Sequence, residues 1–201
     1  VFWDARTGRS AGPALSWMDG RAAAQIAPFA ARQAELHERT GLYLTPYYSA
    51  PKIRHQLEHE PAVRRLAESG RLRVGPVPTY LLWRLTGGEV FRVDPAHAQR
   101  MLLYNIRLGD WDPKLLAMFG VPRESLPEIV PSAGPWAVIR RAGRDLPLLA
   151  VLGDQQSAAL GQGAGEEGIG VLNYGTGAFF LHNGPGGRRV PYAGPGPPRM
   201  S

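Results

Sequence analysis

The 201 residues are 44% hydrophobic and contain no cysteine, which supplies enough apolar chain for a packed core and excludes both a disulfide scaffold and a thiolate metal site. Two of the 23 basic residues are lysines, Lys52 and Lys114, and the others are arginines, set against 17 carboxylates for a net charge of +6. The arginines are scattered, as in Arg64-Arg65, Arg71, Arg73, Arg84, Arg92, Arg100, Arg107 and Arg140-Arg141, so they read as solvated faces and ion pairs rather than a nucleic-acid surface.

Val1 to Asp4 is strand-like from the first residue, as if the chain started inside a domain. Thr7-Gly8-Arg9 makes a turn, and Pro13 to Trp17 a second strand. From Arg21 to Glu38 the positions Ile26, Phe29, Ala30 and Leu36 follow helical spacing, with Pro28 bending or restarting the helix and Thr40-Gly41 stopping it. Two short helices follow, Ser49 to His59 and Pro61 to Ser69, with Pro61 in a first turn and Gly70 as the stop.

A strand at Leu72 to Val74 leads to a helix over Thr79 to Leu85, ended by Gly87-Gly88. Two more helices are expected at Pro95 to Tyr104 and Pro113 to Phe119. Leu146 to Leu152 is a continuous apolar run with Pro147 near its start, the pattern of a buried strand. A small-residue helix at Ser157 to Leu160 precedes two strands, Gly168 to Leu172 and Ala178 to Leu181, joined by Tyr174-Gly175-Thr176-Gly177. The class is therefore α/β.

No apolar run approaches the roughly 20 residues needed to cross a bilayer, and no signal peptide opens the chain. A soluble, cytoplasmic protein without a membrane or nucleic-acid partner is expected. Residues 184–201 hold five glycines, five prolines and three arginines, a composition too poor in apolar residues to offset its ordering entropy. The expected organisation is one domain over residues 1–183 and a disordered or non-native tail over 184–201, of the kind an out-of-frame reading of a GC-rich gene yields.

Asp154 stands at the carboxyl end of the apolar run, where open α/β sheets meet ligands. Its carboxylate suits general-base work on a hydroxyl that attacks phosphorus, but spacing alone puts an N-cap for the Gln155-Gln156-Ser157 helix ahead of that role. Gly175 and Gly177 would let backbone approach an anion while Thr176 donates a hydrogen bond; a plain glycine hairpin turn fits the same residues. The five histidines show no zinc-helix spacing with acidic residues. His55 and His59, four apart, lack a third ligand and read as solvent-facing helix positions, and Glu166-Glu167 as surface charges in a turn.

Several segments occur in a telling order: Trp17-Met18-Asp19-Gly20-Arg21, Thr40-Gly41-Leu42, Pro46-Tyr47-Tyr48-Ser49-Ala50-Pro51-Lys52, Leu81-Leu82-Trp83-Arg84-Leu85-Thr86-Gly87-Gly88, Asp110-Trp111-Asp112, Gly153-Asp154-Gln155-Gln156 and Asn173-Tyr174-Gly175-Thr176-Gly177. In these the chain resembles the FGGY carbohydrate kinase family, over residues 1 to about 183, and within it the glycerol-specific branch. The resemblance implies an actin-like ATPase architecture, two ribonuclease-H-like domains around a cleft, with this chain an incomplete first domain.

It also implies an ATP-dependent phosphotransferase with Mg2+, acting on a small polyol such as glycerol or on another sugar, and compatible with a homo-oligomer in the complete enzyme. A non-catalytic binding module of the same fold is the reading from another class. Asp154 falls at the family's catalytic base. Trp17, Tyr47, Asp154, Gln155 and Phe179 fall at its substrate pocket, and Gly175, Thr176 and Gly177 at a turn that approaches the ATP phosphates. From residues alone, Trp17, Tyr47 and Phe179 read as ordinary core aromatics. Half a cleft is expected to be inactive alone, since positioning and charge stabilisation dominate phosphoryl transfer.

Overall fold

In β1 (Phe2–Asp4) successive side chains leave on opposite faces, and both faces are buried. Phe2 enters the main core, whereas Trp3 packs on Tyr80, Trp83 and Phe91 with ring centroids 5.1, 6.0 and 5.5 Å away. The structure, a computed structural model, describes residues 1–174 and 178–184. The described residues divide into two units, residues 1–151 and a smaller one that begins at Leu152.

In the first unit α1 (Ala23–Ile26) runs into a 3-10 segment at Ala27–Arg32 and then α2 (Gln33–Thr40). Pro28 stands in the first turn of the 3-10 segment, so it restarts the helix, as its missing N–H allows. Gly41 ends α2 in the left-handed region with φ +73, its N–H donating to the His37 carbonyl at 2.7 Å. Next come α3 (Ser49–His59), α4 (Pro61–Glu68), β2 (Leu72–Val74), α5 (Val77–Leu85), β3 (Arg92–Val93), α6 (Pro95–Gln99), β4 (Tyr104–Asn105), β5 (Asp110–Trp111), α7 (Pro113–Phe119), β6 (Glu128–Ile129), β7 (Ala133–Arg141) and β8 (Arg144–Ala150).

β2 pairs antiparallel with β1, Trp3 opposite Arg73, and β6 pairs parallel with β3. Pro95 and Pro113 each follow a capping aspartate: Asp94 accepts from the Ala96 N–H at 3.1 Å and Asp112 from the Lys114 N–H at 2.8 Å. Leu36, Ile53, Val63, Leu72, Leu103 and Phe119 lie at the centre of the core, each at most 1% exposed. Beside it, the Asp4 carboxylate accepts from the Arg6 N–H at 2.9 Å, the Thr7 hydroxyl at 3.1 Å and Arg71 Nε at 3.1 Å. The Arg71 hydrogen bonds, ahead of the Arg6 amide, hold its pKa well below the usual carboxylate value.

Three elements differ from the sequence expectation. Residues 13–17 form no strand; Pro13 offers no N–H, and the Ser16 and Trp17 carbonyls accept hydrogen bonds from a side chain, Lys52, instead of a ladder. The helix at Pro95 stops at Gln99, and Leu102 turns into the left-handed region with φ 61. That turn costs roughly 1–2 kcal/mol, offset by complete burial of Leu102 and Leu103.

β8 is the third difference: it pairs with β7, but Leu146 and Leu149 are 47% and 61% exposed. An apolar run records what a strand is able to bury, whereas burial itself requires a covering layer. Several arginines, by contrast, make the expected ion pairs. Arg21, Arg32, Arg39, Arg54, Arg71 and Arg92 all stand within 4.0 Å of a carboxylate.

In the second unit α8 (Asp154–Gly161) precedes the hairpin of β9 (Gly170–Tyr174) and β10 (Ala178–His182), in which Phe179 pairs with Asn173. The Asn183 side-chain amide donates to the carbonyls of Gly165 at 3.2 Å and Glu166 at 3.1 Å, tying the α8–β9 loop to the end of β10. Residues 185–201, most of the expected tail, lie outside the described residues, as do Gly175, Thr176 and Gly177.

Candidate functional site

Trp17 lies on an irregular loop of the first unit and is 64% exposed. The loop is tied locally: Asp19 N–H donates to the Ser16 carbonyl at 3.1 Å, and the Asp19 carboxylate accepts from the N–H of Arg21 at 3.0 Å and from its Nε at 2.9 Å. Tyr47 lies two residues before α3 on a turn where its N–H reaches Thr45 Oγ1 at 3.3 Å. The two rings meet with centroids 6.2 Å apart and planes tilted by 59°, within the range of favourable aromatic pairs.

Sequence alone reads Trp17 as an ordinary core residue. The structure places it at the surface, where burial does not explain an indole. A pair of aromatic faces with one open side is a suitable platform for the C–H face of a small hydroxylated ligand.

The residue that joins the pair was assigned no role from sequence. Lys52, in the second turn of α3 and 5% exposed, donates from Nζ to the carbonyls of Ser16 at 2.6 Å, Trp17 at 3.1 Å and Tyr47 at 2.9 Å. Burial lowers its pKa from the ordinary lysine value, the charge of Asp19 opposes that shift, and Arg21 adds to it. A signal was available: this is one of two lysines in a chain that otherwise uses arginine. Three donors on a compact head suit three converging carbonyls, which a planar guanidinium matches less well.

In the second unit Asp154 is the first residue of α8, and Gly153 occupies the cap position. This decides against the side-chain N-cap alternative. Asp154 is exposed, and its Oδ1 accepts the Gln155 N–H at 2.8 Å.

Gln155 Oε1 accepts from Asn173 Nδ2 at 3.4 Å, and Asn173 is the backbone partner of Phe179. The start of α8 and the hairpin are thereby linked through side chains, with Phe179 48% exposed. Asn173 carries this link, although sequence reading gave it only as part of a motif. Trp17 and Tyr47 are thus brought together within the first unit, and Asp154, Gln155 and Phe179 within the second.

The histidine expectation is corrected in part. The rings of His55 and His59 stack at 4.3 Å, and His55 is half-buried rather than solvent-facing. Among the described residues no group of three His, Asp or Glu side chains is placed to hold a metal ion, and no helix is long and apolar enough to cross a membrane.

A model of the N-terminal domain of the FGGY family of carbohydrate kinases matches residues 1–161. The chain belongs to the FGGY family. Among curated relatives it is 43% identical to glycerol kinase 1 of Pseudomonas aeruginosa and 44% identical to the glycerol kinase of Thermus brockianus, over 91% of this chain and 38% of each relative. It therefore spans somewhat over a third of the length of these relatives.

Among solved structures, Plasmodium falciparum glycerol kinase with ADP matches 90% of this chain and 37% of its own, at 30% identity and a TM-score of 0.84. The xylulose kinase of Rhodospirillum rubrum matches with a TM-score of 0.78 at 24% identity, which speaks for the fold alone. These neighbours are FGGY kinases, and the fold is the ribonuclease-H-like fold of the actin-like ATPases.

Proposed function

We propose that this FGGY chain carries the polyol-facing part of an ATP-dependent kinase that phosphorylates a terminal hydroxyl of a small polyol, with glycerol giving glycerol 3-phosphate. The observation that carries the reading is the 43–44% identity to glycerol kinases over nine-tenths of the chain. The ring pair of exposed Trp17 and half-buried Tyr47 supports it as a platform for the carbon skeleton.

Asp154 is the proposed general base. With Oδ1 engaged by the Gln155 N–H, the second oxygen accepts the proton of the attacking hydroxyl. That hydroxyl oxygen forms the new bond to the γ-phosphorus, the bond from phosphorus to the β–γ bridging oxygen breaks, and ADP leaves with the electron pair. Gln155 and Phe179 are assigned to polyol binding, and Gly175, Thr176 and Gly177, outside the described residues, to the ATP phosphates.

Mg2+ on those phosphates supplies charge neutralisation when bound, and the exposed carboxylate of Asp154 is the hard-oxygen chemistry that such an ion tolerates nearby. The organisation proposed is a kinase region over residues 1–183 followed by a separate tail over 184–201, in a cytoplasmic protein.

An assay of the full-length protein that carries this chain, with ATP against glycerol and several ketopentoses, tests the reading. Glycerol is expected to give the highest kcat/KM. Preference for a ketopentose would move the substrate to another branch of the family, and no turnover with any of them would leave a binding module. The 201 residues alone are expected to be inactive.

A further inference from the structure

Three backbone carbonyls converge on one ammonium in the first unit, and two of them belong to the aromatic pair itself. Trp17 lies 35 residues before Lys52, and Tyr47 five before it. The Trp17 loop has no strand or helix to hold it. Lys52 is fixed from the other side: it belongs to α3, whose Ala50 N–H donates to the Met101 carbonyl at 2.9 Å. Its neighbour Ile53 is 1% exposed. The anchored partner is therefore the lysine, and the loop is the part it holds.

Resting on the polyol-kinase reading above, we infer that Lys52 is a positioning residue for the polyol: by gathering the Ser16, Trp17 and Tyr47 carbonyls it sets the spacing of the two rings that receive the substrate. It touches neither substrate nor reacting atoms and acts through Trp17 and Tyr47. Removing the ammonium takes this donor from the Trp17 and Tyr47 carbonyls and leaves the Ser16 carbonyl with only the Asp19 N–H, and the Trp17 loop then loses the tie that brings it to Tyr47. Substrate binding should suffer, while the phosphate side and the chemical step should not.

The test uses the full-length protein with Lys52→Ala and Lys52→Arg, read by steady-state kinetics and by fluorine NMR of protein labelled with 5-fluorotryptophan, Trp17 being assigned through Trp17→Phe. Lys52→Ala is expected to raise the KM for glycerol at least about tenfold, with the KM for ATP and kcat within about twofold. Its Trp17 resonance should shift or broaden, and n-propylammonium should restore both the resonance and the glycerol KM. Lys52→Arg, which keeps donors in a less suitable shape, should fall between. If Lys52→Ala fails to fold, Lys52→Arg against wild type decides by the same two readouts.

Equal increases in both KM values, a fall in kcat alone, or an unmoved Trp17 resonance would overturn the inference. If wild type phosphorylates no polyol, the functional reading falls by that result. The Trp17 resonance then still decides whether Lys52 sets the ring pair.

Discussion

Arg39, in the last turn of α2, donates from Nη1 to the buried Asp112 carboxylate at 2.9 Å across 73 residues of chain. Asn105 Nδ2 donates to the same oxygen at 2.6 Å, and the other oxygen caps α7 through the Lys114 N–H at 2.8 Å. One carboxylate thus joins α2, β4 and α7. Burial acts to raise the Asp112 pKa, but the hydrogen bonds from Asn105, Arg39 and the Lys114 amide outweigh it, and the net shift is downward.

Replacing Asp112 by Ala takes the acceptor from Arg39 Nη1 and Asn105 Nδ2, with Arg39 keeping only Glu35, and should destabilise the protein by about 3 kcal/mol. Because the folded-state pKa is depressed, the stabilisation is complete above the unfolded value of about 3.9 and is lost as pH falls through the folded value. Urea melts between about pH 5 and pH 2 should show wild type losing more stability than Asp112→Asn. Parallel losses would mean that the carboxylate does not titrate with folding.

The β7–β8 hairpin closes through Ala142 and Gly143, with φ 50 and 72. Two positive φ values suit an Asn-Gly turn, and alanine is strained at the first position. Ala142→Asn should therefore stabilise by about 0.5–1 kcal/mol. Calorimetry showing a lower melting temperature would contradict this.

Gly8 sits at φ +67 against the Trp83 ring, and a Cβ there would lie 2.6 Å from Cζ3. Gly8→Ala should cost about 2 kcal/mol through strain and displacement of the Trp3–Trp83 cluster. Gly12→Ala is the control, because an added Cβ there meets nothing within 4 Å. Chemical denaturation of the two variants should separate them.

For the full-length protein, Asp154→Asn keeps the shape of the first residue of α8 but removes the proton acceptor. Turnover should fall by about two to four orders of magnitude with little change in glycerol KM. Near-normal turnover would take Asp154 out of the mechanism.

Much of the local structure was legible in the sequence. Pro61, Pro95 and Pro113 open helices, and Gly41 closes its helix with positive φ, because these residues fix backbone geometry within one turn. The ordered motifs also pointed to the FGGY family, since a run of short matches in register is a one-dimensional property. The exposure of Trp17 was not legible: an indole in an apolar stretch carries no local mark of which side it faces. The end of α6 was hidden for a related reason, as the left-handed Leu102 is compensated by burial among residues distant in sequence.

Proline, glycine and apolar spacing by themselves determined where most helices begin and end, and the ordered motifs carried the resemblance to the family. The tertiary structure alone decided that Lys52 gathers the carbonyls beside Trp17 and Tyr47, that Arg39 meets Asp112, and that β8 stays exposed. The physical reason is range. Propensity and capping act over three or four residues, whereas these contacts close loops of up to 73 residues and form only once the core has fixed both ends.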